Sequence, residues 1–199
     1  MEFSKDIEEK LQIYLRLLEK WQKSINLISP STLPDAWERH FLDSAQLSSI
    51  IDTLPKRESL VDIGSGAGFP GMVLAILYPE THVTMIESDQ RKCIFLQTVS
   101  RETSTPVTVL NRRIEAEPPA IRADVLTARA LASLEDLCAY SIPFFANNPD
   151  LVCIFPKGKL ADSEDNEARE KFDYHIDFID SITDEEAKIL RLSRLLPKK

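Results

Sequence analysis

Val61–Gly71 reads VDIGSGAGFPG, and four of the chain's five glycines, Gly64, Gly66, Gly68 and Gly71, fall within eight residues of it. Glycines where a strand turns into a helix allow positive φ and let backbone N–H groups approach a ligand closely. The N-terminus of the following helix adds a favourable field for electron-rich groups. Pro70 suits the first turn of that helix and Pro79 should stop it. The stretch therefore predicts a strand, a ligand-holding turn and a helix over Phe69–Leu77, with a nucleotide-like molecule in the turn.

Two cofactors fit the turn. GAGFPG is formally G-x-G-x-x-G, and Glu87 lies 21 residues beyond Gly66, where a dinucleotide fold places its ribose-binding acid. The turn also matches acid-x-G-x-G-x-G, used by methyltransferases, with Asp62 ahead of Gly64, Gly66 and Gly68. The extra glycine register favours methyl transfer. A carboxylate at Glu87 could accept hydrogen bonds from both ribose hydroxyls of either cofactor.

Outward from the turn, short apolar runs alternate with helix-length segments, the pattern of βαβ units around a parallel sheet. The strand candidates are LVDI, HVTMI, VTVL, ADVLTA and DLVCIF; helices are predicted near Phe69–Leu77, Asp89–Thr103 and Ser133–Phe145. EPPAI, from Glu117, reads as a loop. The tail offers an acidic helix near Asp162–Lys171, then YHIDFI and AKILRLSRL as an antiparallel hairpin at the sheet edge. The fold expected is α/β and Rossmann-like, a mostly parallel seven-stranded sheet flanked by helices. Ahead of it, Ile7, Leu11, Tyr14, Leu18, Trp21 and Ile25 recur at helical spacing and read as a packing face. After the break SPSTLP, a second helix is predicted near Asp35–Ile51. Residues 1–55 form the expected helical extension and 56–199 the core, within one compact unit.

Composition narrows the function classes. No run of apolar residues reaches the roughly 20 that a membrane span needs, and the charged start MEFSKDIEEK lacks a signal-peptide core, so the expected compartment is the cytoplasm. Cys93, Cys138 and Cys153 are an odd number, far apart in apolar runs, and read as reduced core thiols rather than a metal site. Net charge is −8, but residues 162–187 alone carry −9, leaving the remainder at +1. The overall acidity is thus no bar to a polyanionic partner elsewhere on the surface. Arg112 and Arg113 fit either a solvated loop or contact with a phosphate backbone. After the third strand, Ile114 and Glu115 stand where an apolar face and an acceptor would suit adenine.

With these residues assembled, the chain resembles the glucose-inhibited division protein B family, the 16S ribosomal RNA guanine-N7 methyltransferases known as RsmG. The resemblance runs through LLEKWQKSINLIS, WERHFLDS, VDIGSGAGFPG, VTMIESDQRKCIFLQ, NRRIEA, VLTARALASL and FPKGK. WERHFLDS and TARALASL are not general features of Rossmann-like folds. The resemblance implies a class I methyltransferase that binds S-adenosyl-L-methionine and methylates one guanine in 16S ribosomal RNA, presented as RNA or as a small-subunit particle. It points to Gly64 and Phe69 at the methionine and ribose end, Ile114 and Glu115 near adenine, and Arg129 beside the reaction centre. Arg39, His40 and Asp43 match the family's N-terminal motif. They are expected either to line the same cleft or to dock the helices onto the sheet through an ion-pair network. Ala130-Leu131 and the acidic stretch after Lys159 depart from the family's pattern. A monomer is the default expectation.

Guanine N7 has a lone pair and no proton, so its methylation needs positioning rather than a general base. TARALASL after the fourth strand, with no Asp/Asn-Pro-Pro-aromatic motif, is consistent with that. Arg129 is the expected substrate-side residue, and Phe69 or Phe155 a possible shelf for the base. An NAD-dependent oxidoreductase would need His175, the only histidine in the C-terminal half. A noncatalytic ribosome-assembly protein would not need Gly64, Gly66, Gly68 and Glu87. Neither alternative accounts for WERHFLDS together with TARALAS.

Overall fold

A computed structural model describes residues 1–115 and 121–198. Most of EPPAI, the loop expected from Glu117, lies outside the described residues. Helix α1, Lys5–Gln22, starts where Ser4 accepts a hydrogen bond from the Ile7 amide, with Asp6 and Glu8 in the first turn and Lys20 in the last. Its buried face is Leu11, Tyr14 and Leu18. The second helix is not continuous. Trp37–Leu42 is wound wider than an α-helix, with the Asp43 amide bonding back to Glu38, and is followed by the short helices α2, Asp43–Ala45, and α3, Ser48–Ile51. Helical periodicity alone cannot foresee an i→i+5 turn, because the same side chains suit either winding.

The sheet contains β1 Ser59–Ile63, β2 His82–Glu87, β3 Thr108–Asn111, β4 Val125–Thr127, β5 Val152–Lys157, β6 Phe172–Asp180 and β7 Lys188–Pro197. Its order is β3-β2-β1-β4-β5-β7-β6, with β7 antiparallel to β5 and β6 and the other pairings parallel. The central strands are buried along almost their whole length because helices cover both faces. On one face α1 packs against α4, Gly71–Leu77, and α5, Gln90–Glu102. On the other lie α6, Leu134–Asn147, and α7, Ala161–Lys171. Strand order reverses between β1 and β4, and in sheets of this kind ligands bind beyond the carboxyl ends of the strands at that point.

Many charges of the acidic tail are matched locally. Asp165 pairs with Arg169, Asp173 with Lys198, Asp177 with Arg191 and Asp180 with Lys188. Cys93, Cys138 and Cys153 are free and buried. Among the described residues no helix is long and apolar enough to cross a membrane, and no group of three or more His, Cys, Asp or Glu could hold a metal ion.

Candidate active site

The turn after β1 is tied to the end of β2. The amides of Gly64 and Ser65 both donate to the Ile86 carbonyl, at 2.9 and 3.1 Å. Gly66, at φ +57°, donates its N–H to Oε2 of Glu87 at 2.8 Å, while Oε1 of Glu87 accepts from the Asp89 amide at 2.7 Å. Two backbone donors therefore aim a nearly buried carboxylate along the turn. Gly68, at φ +97°, has no room for a side chain: a Cβ there would lie 2.6 Å from the Tyr14 hydroxyl and 2.8 Å from Leu96. That hydroxyl donates to the Ala67 carbonyl, so α1 braces the turn directly. Asp62 is fully buried; Oδ1 accepts from Thr127 Oγ1 at 2.8 Å and Oδ2 has no hydrogen-bond partner among the described residues. Burial pushes its carboxyl up to about 6.

Phe69, only 4% exposed, joins the turn to the N-terminal helices. Tyr14 stacks on it at 5.2 Å, His40 stacks at 5.1 Å, and the Arg129 guanidinium lies 5.1 Å from its centroid. The wide turn at Trp37–Leu42 brings Arg39, His40 and Asp43 to Arg129, which follows β4. Arg129 Nη1 donates to Asp43 Oδ2 at 2.9 Å and to the Arg39 carbonyl at 3.2 Å, and Nη2 lies 2.9 Å from His40 Nδ1. A guanidinium only donates, so Nδ1 is an acceptor and the ring proton sits on Nε2, which is 2.9 Å from Thr32 Oγ1. Burial and the adjacent Arg129 charge lower the His40 pKa to about 4, which keeps the ring neutral. Asp43 Oδ1 in turn accepts from Gln46 and from Thr183, which lies between β6 and β7.

A cleft of about 580 Å³ lies over the turn, within the usual range for a cofactor site. Gly64, Gly66, Phe69, Glu87, Ile114, Glu115, Arg129 and His40 all line it. Gly68 stands behind the turn, against Tyr14 and Leu96. Arg39 lines a second cavity, of about 360 Å³, beyond β4 and β5, where it is joined by Asp43, Lys157, Glu164, Thr183 and Asp184. Thr32, His40, Arg129 and Ala130 line both cavities and form the boundary between them.

Of the two positions expected to offer an aromatic shelf, Phe155 is completely buried among the residues that pack α6 and α7 on the sheet, whereas Phe69 lines the cleft with its ring stacked on Tyr14 and His40. His175 is exposed on β6 and lines neither cavity. Sequence reasoning missed the segment Leu27–Thr32, which walls the cofactor-sized cleft, and the Lys157–Glu164 pair. Lys157 lies in FPKGK, but nothing in its spacing shows where it points. Tyr14 was legible only as one position of a packing stripe.

The model of the family described as rRNA small subunit methyltransferase G matches residues 7–190. The ribosomal RNA small subunit methyltransferase G of Cereibacter sphaeroides is 44% identical over 98% of this chain and 94% of its own length. The enzyme of the same name from Paramagnetospirillum magneticum is 46% identical over 95% and 89%. Among solved structures, a ribosomal protein L11 methylase from Lactobacillus delbrueckii subsp. bulgaricus shares the fold, with a TM-score of 0.58, 16% identity and coverage of 76% and 78%. The chain belongs to the rRNA small subunit methyltransferase G family.

Proposed function

We propose that this chain uses S-adenosyl-L-methionine to methylate N7 of one guanine in 16S ribosomal RNA, acting in the cytoplasm as a monomer on the RNA or on a small-subunit particle. The observation that carries this reading beyond family membership is the pair of adjoining cavities at the carboxyl ends of the strands, meeting at Arg129 and His40. One is lined by the glycine turn and Glu87, the other by residues from six stretches of the chain.

The residues present fit the cofactor. Glu87 stands at the end of β2 with lone pairs left for ribose hydroxyls after its two amide bonds, and the Gly66 backbone leaves open space above it. Ile114, Glu115, Gly64 and Phe69 line the same cleft, which supports assigning the first two to the adenine and the last two to the methionine end. Bound S-adenosyl-L-methionine would supply a methyl group on a sulfonium, and displacement by guanine N7 releases no proton. The protein's own groups agree with that requirement. Neutral His40 has Nδ1 occupied by Arg129 and Nε2 by Thr32, so it offers no free base, and both oxygens of Asp43 are engaged. Arg129 and His40 instead orient the base where the two cavities meet. Arg129 can also donate to guanine O6 or a neighbouring phosphate. Arg113 and Lys92 on the cleft rim suit the RNA backbone. Residues 1–55 act as the extension that completes the site.

The test is transfer of a labelled methyl group to 16S RNA and to small-subunit particles that lack the modification, with the product nucleoside identified. A single 7-methylguanosine is the expected product. A different modified nucleoside, or none despite cofactor binding, overturns the reading.

A further inference from the structure

We propose that the second cavity receives the target guanine and that Glu164 selects it by accepting hydrogen bonds from its N1–H and 2-amino groups. The proposal rests on the guanine-N7 reading above. Around a guanine ring the polar groups follow the order N7, O6, N1, N2. With N7 facing the cofactor cleft, groups that line both cavities meet N7 and O6, and groups confined to the second cavity meet N1 and N2. Arg129 lines both, and as an obligate donor it suits O6 but opposes the amino group that adenine carries at that position. Glu164 lines the second cavity alone and is an acceptor.

The carboxylate is held in place rather than solvated. Its Oε2 accepts from Lys157 Nζ at 2.6 Å and from the Leu134 amide at 2.7 Å, and Lys157 also donates to the Ala132 carbonyl at 2.8 Å. Lys157 and Glu164 side chains are 10% and 20% exposed. Both of these bonds use Oε2, which leaves Oε1 to accept from a base. Such anchoring is what a specificity group requires, because its orientation is set before the ligand arrives. The cavity's other acids are less suited. Asp43 has both oxygens occupied, and Asp184 is exposed on the connection between β6 and β7, where it accepts from the Glu186 amide.

The experiment compares small-subunit particles assembled on 16S RNA bearing guanine or inosine at the methylated position. Inosine keeps N7, O6 and N1–H and lacks only the 2-amino group. The wild-type chain is expected to favour guanine on the order of tenfold in kcat/KM. Glu164→Ala should bring that ratio close to one, with Glu164→Gln intermediate and adenosylmethionine affinity retained. The ratio is taken within one preparation, so a smaller folded fraction cancels. A ratio that stays at the wild-type value in Glu164→Ala, or that collapses in Asp184→Ala instead, overturns the assignment. A wild-type chain that makes 7-methylguanosine without discriminating inosine overturns it while leaving the reaction standing. Failure to make 7-methylguanosine at all defeats the underlying reading as well.

Discussion

Nη2 of Arg129 and Nδ1 of His40 lie 2.9 Å apart, and because the guanidinium can only donate, this contact sets the tautomer of the imidazole. Arg129 follows the fourth strand and His40 sits in the wide turn at Trp37–Leu42, so the contact stands where the two cavities meet. A protonated ring would have no lone pair for Arg129, which is why a cationic His40 is disfavoured here beyond simple burial.

His40 should therefore stay neutral through the working range of the enzyme. Its folded pKa of about 4 lies below its ordinary value of 6.5. Its contribution to stability is full above pH 6.5 and is lost as pH falls toward 4, where the unfolded chain binds a proton that the folded chain refuses. A ring-proton NMR titration should show no transition between about pH 5 and 8 for this histidine. A midpoint near the ordinary histidine value would contradict the tautomer and the anchoring of Arg129.

Arg129 makes at least three directional contacts, and a lysine ammonium cannot reproduce a planar fork. Arg129→Lys and Arg129→Ala are both expected to lower kcat by about a hundredfold, a loss of roughly 3 kcal/mol of transition-state stabilisation, with much smaller changes in adenosylmethionine affinity. Equal losses in turnover and cofactor binding, measured by single-turnover kinetics and calorimetry, would remove Arg129 from the substrate side.

The glycine turn separates binding from folding. Gly66→Ala places its methyl where the nearest protein atom is 3.8 Å away, so the left-handed backbone should cost only about 1 kcal/mol of stability while the cleft loses space for the cofactor. Gly68→Ala meets Tyr14 and Leu96 at an even less favourable φ and should cost about 3 kcal/mol or more. Chemical unfolding and cofactor titration of both variants check the contrast, and a Gly68→Ala chain as stable as Gly66→Ala would refute it.

Asp62 gives the opposite pH dependence to His40. Its folded pKa of about 6 exceeds the ordinary 3.8, so the folded chain binds the extra proton and stability declines as pH rises between those values. Asp62→Asn removes that penalty while keeping the shape. Its stability relative to wild type should improve between pH 4 and pH 7 by up to about 3 kcal/mol. Thermal unfolding across that range measures it; a difference that does not vary with pH would show that Asp62 carries its charge at no cost.

The order of strands and helices was legible in the chain because apolar runs of strand length and glycine-rich turns are local signals, and the acid at the end of β2 follows from the same rhythm. The motif quoted at Arg39, His40 and Asp43 was visible as a motif, yet two roles for it stayed open: lining the cleft or docking the helices. The tertiary structure shows both arrangements in one place, since the same residues pair with Arg129 and face a cavity. The Asp35–Ile51 break escaped notice because an i→i+5 turn has no distinct periodicity. Tyr14 beneath the glycine turn, Thr32 behind His40, and Glu164 beside Leu134 are 53, 8 and 30 residues from their hydrogen-bond partners. The sequence by itself determined the sheet and the ligand-holding turn, each written in neighbouring residues, and the cofactor through motifs spread along the chain. Only the tertiary structure decided which distant donors and acceptors meet, because hydrogen bonding depends on positions in space to within a few tenths of an ångström, and the pattern of residue types along a chain does not encode those positions.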